Sequence, residues 1–496
     1  MSLYKHKSFW LLGSVSVLGF IILFMIRLGV IEKLFFPPRT LAASDIKAPA
    51  DQEIWMNIFQ SNNKIGFSHS GFSIAIDGYR LQETVLMRIN TMGMVQDINL
   101  KTRGHLKPDF SLADFDFEIN SGRFSFSVSG SVSGEVLTVR TSSAGTSRRT
   151  DIPLKAKPYL LPAITAALAA VELNTGEQYT FDIFDPATMG QTPVTVEVMG
   201  KEAIDIMGAR TSATKIALNF KGTSQLAWIG KDGDILKEKG ILGIRLEKTT
   251  RQDALQGLGA ASSTDLTQTV SVPSNVVLEN LDRLPTLTFE IGGIPYEGVQ
   301  LGGGRQILKK NMLTIKKESL ANLAAEIDEN SLQSLEKIFL MPGPFIQSDD
   351  PKIQALMHKI IGTETVALRK VRLLVEWVHQ NIDKRPVLSI PDALSTLENR
   401  VGDCNEHAVL LAALARAAGI PCRIEAGLVY LKGRFYYHAW NLVYLGRWIT
   451  VDAVFGQVPA DVSHIRLVTG SPSRQLDLMG VIGKIKLRII EPPKFQ

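Results

Sequence analysis

The chain has 496 residues, 45% hydrophobic and 21% charged, which fits folded domains with real cores and argues against a disordered chain. Its formal net charge of +5 is spread over 54 basic and 49 acidic residues without a dense Lys/Arg block, so a nucleic-acid partner is set aside. The two cysteines, Cys404 and Cys422, flank a stretch that reads as helix. About fifteen helical residues rise about 22 Å, far beyond the ~7 Å Cα separation a disulfide tolerates. One cysteine can then be a nucleophile and the other a small buried apolar residue.

At the N-terminus, Phe9 to Ile26 is an uncharged run of 18 residues. As a helix it would span about 27 Å, close to the ~30 Å hydrocarbon core of a bilayer. A cleaved signal peptide has a shorter apolar stretch, about 7–15 residues, so the run predicts an uncleaved transmembrane anchor. The reading is a single-pass membrane protein whose soluble domains lie on the periplasmic or extracellular side. Residues 1–33 form the cytoplasmic tip and anchor, and 34–50, with Pro37, Pro38 and Pro49, a linker.

Residues 51–275 read as a β-rich domain. Phe115, Phe117 and Ile119 alternate with polar residues, as do Phe124, Phe126 and Val128 after the Ser121-Gly122 turn. Such period-two alternation means antiparallel sheet with one buried face. A short apolar helix is predicted from Ile164 to Leu173, after Pro162. Strands then resume near Tyr179–Ile183, Val194–Val198, Ser212–Phe220 and Leu226–Ile229. No chemical constellation stands out, so this part reads as a scaffold or spacer. Residues 276–344 read as a connecting region, and 345–490 as a catalytic domain. In the latter, Asp350-Pro351 opens a helix with Ile353, Met357 and Ile361 on one face. Thr365 opens a second, with a Val371, Leu374 and Val378 stripe.

Asp403-Cys404-Asn405-Glu406 precedes a dense apolar run that Gly419 and Pro421 end. Asp403 and Glu406 have capping-box spacing, which seats Cys404 at the first helical position. Free N–H groups and the positive end of the helix dipole there favour thiolate, so the thiol is expected below its ordinary pKa. The same N–H groups can hold an oxyanion.

A thiolate nucleophile needs a proton donor for the leaving group, and His438 supplies one from an alternating strand. Leu445-Gly446-Arg447 reads as a three-residue hairpin loop, followed by the strand Trp448 to Asp452. That register puts Tyr444 opposite Trp448 and Trp440 opposite Asp452. His438 becomes a same-face diagonal neighbour of Asp452, within reach of a hydrogen bond. A two-residue loop would separate them onto opposite faces.

Gly402-Asp-Cys404-Asn-Glu-His-Ala408, Gly419-Ile-Pro421, His438-Ala-Trp440 and Gly446-Arg-Trp448…Val451-Asp452 together resemble the transglutaminase-like superfamily. The resemblance implies a papain-like α+β fold and a triad of Cys404, His438 and Asp452. The fold class expected for the whole chain is therefore α+β: transmembrane helix, antiparallel β-rich domain, papain-like catalytic domain. The β-rich part loosely resembles accessory domains that precede such domains in bacterial envelope proteins. An auxiliary oxyanion donor is not assigned by the resemblance; Trp377, Gln380 and Asn381 are the candidates.

Other chemistry-bearing residues have plainer readings. His407 packs one turn along the Cys404 helix, Glu406 caps it, and Asp461 and His464 sit in a surface loop. A Cys404/His407/His438 zinc site lacks typical zinc spacing, so neither metal nor cofactor is called for. The expected function is cysteine-dependent acyl transfer on a carboxamide or peptide bond of a protein or peptide substrate, hydrolytic rather than crosslinking. The alternative is a membrane-tethered binding or assembly protein with an inactive transglutaminase-like domain.

Overall fold

The structure, a computed structural model, describes residues 50–490 apart from 144, 258–264, 295–297, 326–331 and 471–475. Antiparallel pairing dominates it. Fifteen strands between Gln52 and Thr249 make one sheet. Its first eight, from Gln52–Gln60 to Thr146–Pro153, run as a meander. The strand Ile244–Thr249 comes back to pair with Gln52–Gln60, and the remaining strands step away on its other side to Pro158–Tyr159. Both edges are blunted: one is two residues long, and the other carries Arg148, Arg149 and Pro153 with no buried face.

This sheet curls. Phe115 and Phe184 lie on strands ten places apart in the sheet order, yet their rings are 5.5 Å apart. What they close around is the helix Leu161–Ala169, whose Ala163, Ile164, Ala167 and Leu168 are buried against both halves of the sheet. A helix apolar nearly all round has no wet face to offer and must be enclosed. It begins three residues before the expected start, because Pro162 fits the first turn, where no intrahelical N–H is needed.

The expected α+β class is corrected by these pairings: the chain is mostly β, 48% strand against 19% helix. Even the C-terminal part holds two further sheets of five and four strands. Among the described residues no helix is long and apolar enough to cross a membrane, so the single-pass membrane localisation is not supported. The apolar run Phe9 to Ile26 on which that expectation rested lies outside the described residues.

Two elements position the later chemistry. The helix Pro351–Ile361 is capped by Asp350, which accepts from the Lys352 N–H at 2.8 Å, and buries Ile353, Met357 and Ile361. The helix Ala367–Asn381 starts two residues after Thr365. Its first N–H groups are prepared by Glu364, whose Oε1 accepts from Thr365 and Val366 at 2.9 and 2.8 Å. Both helices pack around Cys404–Ala417, in a core shared with the five-stranded sheet. That sheet runs Val272–Pro273, Arg434–Tyr444, Cys422–Leu431, Ile465–Thr469, with Trp448–Val451 paired to the strand Arg434–Tyr444. Its other face packs on a four-stranded sheet built from residues 286–316 and Lys486–Ile489.

The Cys422–Leu431 and Ile465–Thr469 strands meet at a register shift beside Gly427. A Cβ at Gly427 would lie 1.9 Å from the Ile465 carbonyl oxygen, so only glycine permits this approach. Gly427→Ala is expected to destabilise the protein by about 1–3 kcal/mol, as overpacking against backbone does. The check is a lowered midpoint in thermal unfolding; an unchanged midpoint would contradict the close approach.

Candidate active site

The capping box at the start of the Cys404–Ala417 helix is formed. The Asp403 carboxylate accepts from the Asn405 N–H at 2.8 Å, and Glu406 Oε2 accepts from the Asp403 N–H at 3.0 Å. Gly402 is what lets Glu406 fold back, since a Cβ there would come within 2.3 Å of the Glu406 Cβ. Ser389 donates to Glu406 at 2.7 Å. Burial first, and the Asp403 charge second, hold the Glu406 carboxyl well above its usual range. Glu406 is thus a structural cap, as read from the sequence.

Behind the cap the helix is buried on all sides from Glu406 to Ala415. Asn441, in the middle of the Arg434–Tyr444 strand, donates to the Ala408 carbonyl at 2.9 Å and fixes helix to strand. The hairpin register is the expected one: Tyr444 opposes Trp448 and Asn441 opposes Val451. Continuing it places Trp440 opposite Asp452 and His438 on the same face, two residues along. The result is a His438 Nε2 to Asp452 Oδ2 contact of 2.7 Å. With Nε2 turned to the carboxylate, Nδ1 is the nitrogen left for a thiol or substrate.

Cys404 meets the same strand one residue further on. The Ala439 N–H of that strand favours its thiolate, and its side chain is half-buried. The structure pairs His438 with Asp452, and the Asp452 charge reaches the Cys404 thiol. The sulfur's electrostatics differ from expectation. Burial, and next the Asp403 carboxylate beside it, push the thiol well above its ordinary value; the Ala439 N–H pulls the other way and is outweighed. The reading from the helix dipole left out that the capping residue is itself an anion adjacent to the sulfur.

Asp452 is fully buried and accepts four hydrogen bonds. Oδ1 takes the Val454 and Phe455 N–H groups at 2.6 and 3.0 Å. Oδ2 takes His438 and, at 2.9 Å, His464 Nε2. Burial works against its charge, but the two imidazoles outweigh it and hold the carboxyl far below the usual range.

His464 and Asp461 are not in a surface loop; both are buried, His464 completely. After Asp452 the chain folds back through paired bonds between Asp452 and Gln457, which returns residues 457–464 to the site. Asp461 accepts from Ser463 N–H and Oγ at 2.8 and 2.6 Å and faces His464 Nδ1 at 3.2 Å. Burial disfavours a charge on His464, yet its two carboxylate partners raise it to about 9, so it is an imidazolium at neutral pH. The signal available in the sequence was the Asp461-Val-Ser463 turn motif, which says that the segment is ordered but not where it goes.

The remaining candidates separate. His407 is buried, its Nδ1 on the Asp403 carbonyl at 2.7 Å, and packs rather than lining a cleft. Cys422 is fully buried, with its thiol pushed by burial to about 12. Gln380 spends its amide on Glu376 at 3.1 Å and Asn381 on the Trp377 carbonyl at 2.8 Å, both within their own helix. Trp377 lies under Arg400 at 4.7 Å. None of these contacts aims a donor at the sulfur.

His438, Asp452 and His464 each offer a ligand atom within 4.8 Å of the others. A tetrahedral ion bonded at about 2.0–2.1 Å to nitrogen and oxygen would hold them more than 3 Å apart. The observed contacts of 2.7 and 2.9 Å are hydrogen-bond lengths, so this donor set does not fit a metal.

Comparison with known proteins agrees with the local geometry. The transglutaminase-like superfamily matches residues 354–453. No curated protein sequence matches the chain. Among solved structures, a candidate cysteine protease of Cytophaga hutchinsonii is 19% identical. The match covers 44% of this chain and 81% of that one, with a TM-score of 0.29. A β-barrel-like protein of a domain of unknown function, from Brucella abortus, is 11% identical over 40% of this chain and 96% of its own, TM-score 0.32. The periplasmic domain of TgpA from Pseudomonas aeruginosa, bound to ethylmercury, is 19% identical over 37% and 77%, TM-score 0.24. These scores are too low to carry an argument about shape. The matched stretch contains the Cys404 cap, the His438 strand and Asp452. Residues 354–453 of this chain are a transglutaminase-like domain.

Proposed function

We propose that Cys404, His438 and Asp452 hydrolyse a peptide or carboxamide bond of a protein or peptide substrate through an acyl-thioester. The observation that supports this best is the 2.7 Å contact that pins His438 to the buried Asp452 carboxylate, on the strand whose Ala439 N–H favours the Cys404 thiolate. In the acylation step, the thiol proton passes to His438 Nδ1 as sulfur bonds to the carbonyl carbon. The Cys404 N–H, at the open end of the helix, is the proposed donor to the oxyanion. The C–N bond then breaks, and the imidazolium proton leaves with the amine. Water, giving a proton to His438, attacks the thioester; the carboxylic acid departs and the thiol is restored. His464 acts through Asp452 as a positioning residue, donating to the same Oδ2 that faces His438. Hydrolysis is preferred over crosslinking because water needs no second binding site, whereas an amine acceptor does.

The upward push on the Cys404 thiol means that the nucleophile is neutral at rest and depends on His438 for ionisation. The same observation favours a second reading, a binding protein whose transglutaminase-like domain is catalytically idle. Iodoacetamide labelling across pH separates the two. The enzyme reading expects Cys404 to label at a lower pH in the native protein than in His438→Ala. Identical profiles for the two proteins support the idle site.

Against glutamine-containing peptides in H₂¹⁸O, the acyl product is expected to gain one ¹⁸O per turnover. Cys404→Ala is expected to lower the rate by about 10⁴-fold or more. Preferential incorporation of an added dansyl-amine would overturn the hydrolytic assignment.

His464 also makes stability depend on pH. Its folded pKa, about 9, lies above the ordinary 6.5, so its contribution is complete below pH 6.5 and is lost as pH rises through about 9. A shift of that size corresponds to at most about 3 kcal/mol. Thermal midpoints of the native protein should fall across this window, and those of His464→Asn should not. Parallel profiles would remove the charged His464 from the account.

A further inference from the structure

The curled sheet is not filled by its enclosed helix. A cavity of about 440 Å³ lies between the helix Leu161–Ala169 and the inner face of the sheet, within the size range of small-molecule sites. Its walls are mainly apolar, with Ile54, Phe72, Leu81, Phe184 and Leu218 among them. The polar residues are unevenly distributed. Glu83 and Glu238 line it from strands four places apart in the sheet, Asp185 is the third charged residue, and no lysine, arginine or histidine is among the described lining. Asp185 is satisfied locally by the Ala187 N–H at 3.0 Å and Thr188 Oγ1 at 2.7 Å. Glu238 has one weak donor, Gln225 at 3.3 Å. Among the described residues neither glutamate has a cationic partner.

We propose that this cavity binds a single-chain amphiphile, with the apolar chain against the sheet and a cationic headgroup between Glu83 and Glu238. A wall of this composition favours transfer of a hydrocarbon chain from water. Two carboxylates facing one apolar space without a counterion select the sign of the head. An ammonium completes their pairing, whereas a fatty carboxylate adds a third negative charge. Their state without ligand agrees: burial holds both carboxyls up at about 7, and the Glu238 charge adds to the rise at Glu83. The site is separate from Cys404 and does not depend on the catalytic reading.

The test is displacement of the neutral dye N-phenyl-1-naphthylamine from the full chain by dodecylammonium or dodecanoate, each below its micelle concentration, at pH 7.5. Dodecylammonium is expected to displace the dye at a concentration at least about tenfold lower than dodecanoate. The Glu83→Gln/Glu238→Gln double variant should still bind dye and lose that preference. Ala166→Trp, which directs an indole from the helix into the cavity, should lose dye binding with an unchanged far-ultraviolet dichroism spectrum. Absence of dye binding, equal displacement by the two amphiphiles, or a preference that survives the double variant would each overturn the proposal.

Discussion

A carboxylate with no exposure to water keeps its charge only where enough donors converge on it, and Asp452 has four. Much of the surrounding structure serves that convergence. The hairpin register delivers His438, the turn after Asp452 delivers two backbone N–H groups, and the return through Gln457 brings His464. His379, from the Ala367–Asn381 helix, bonds the carbonyls of Ala453 and Val454 and braces the same turn. Trp440 closes the side, its indole donating to buried Glu425 at 3.1 Å and its ring edge-on to His464.

Asp452, His464 and Asp461 form a buried chain in which the His464 imidazolium lies between two carboxylates, with the His438 ring on the same Asp452 oxygen. Such a chain is stable as a whole and fragile in its parts, because removing one member leaves a neighbour buried and unpaired. Burial and the Asp403 carboxylate both oppose ionisation of the Cys404 thiol. The rigidity that fixes the imidazole thus coexists with a thiol that burial and the Asp403 charge hold in its neutral form.

Local features of the site were legible in the sequence because they depend on short spacings. The Asp403/Glu406 box and the three-residue loop at Gly446 each follow from a few adjacent residues. The strands of the β-rich part were legible from alternation for the same reason. What the sequence hid is long-range. Nothing adjacent to His464 says that it ends against Asp452, and nothing near Ile244 says that this strand pairs with Gln60. The thiol was misread for a different reason: the dipole argument counted the helix end and omitted burial first, and the charge of the capping residue second.

The pairing of Gln52–Gln60 with Ile244–Thr249 has a consequence for biosynthesis. The first strand gains its second neighbour only after nearly two hundred further residues have emerged from the ribosome. Until then, the meander that begins the sheet carries an open edge and an uncovered inner face, with the helix Leu161–Ala169 waiting for its far wall. Non-local closure of this kind is slow and leaves a nascent chain prone to association with others. The β-rich sheet therefore closes only when its last strand, Ile244–Thr249, has been made.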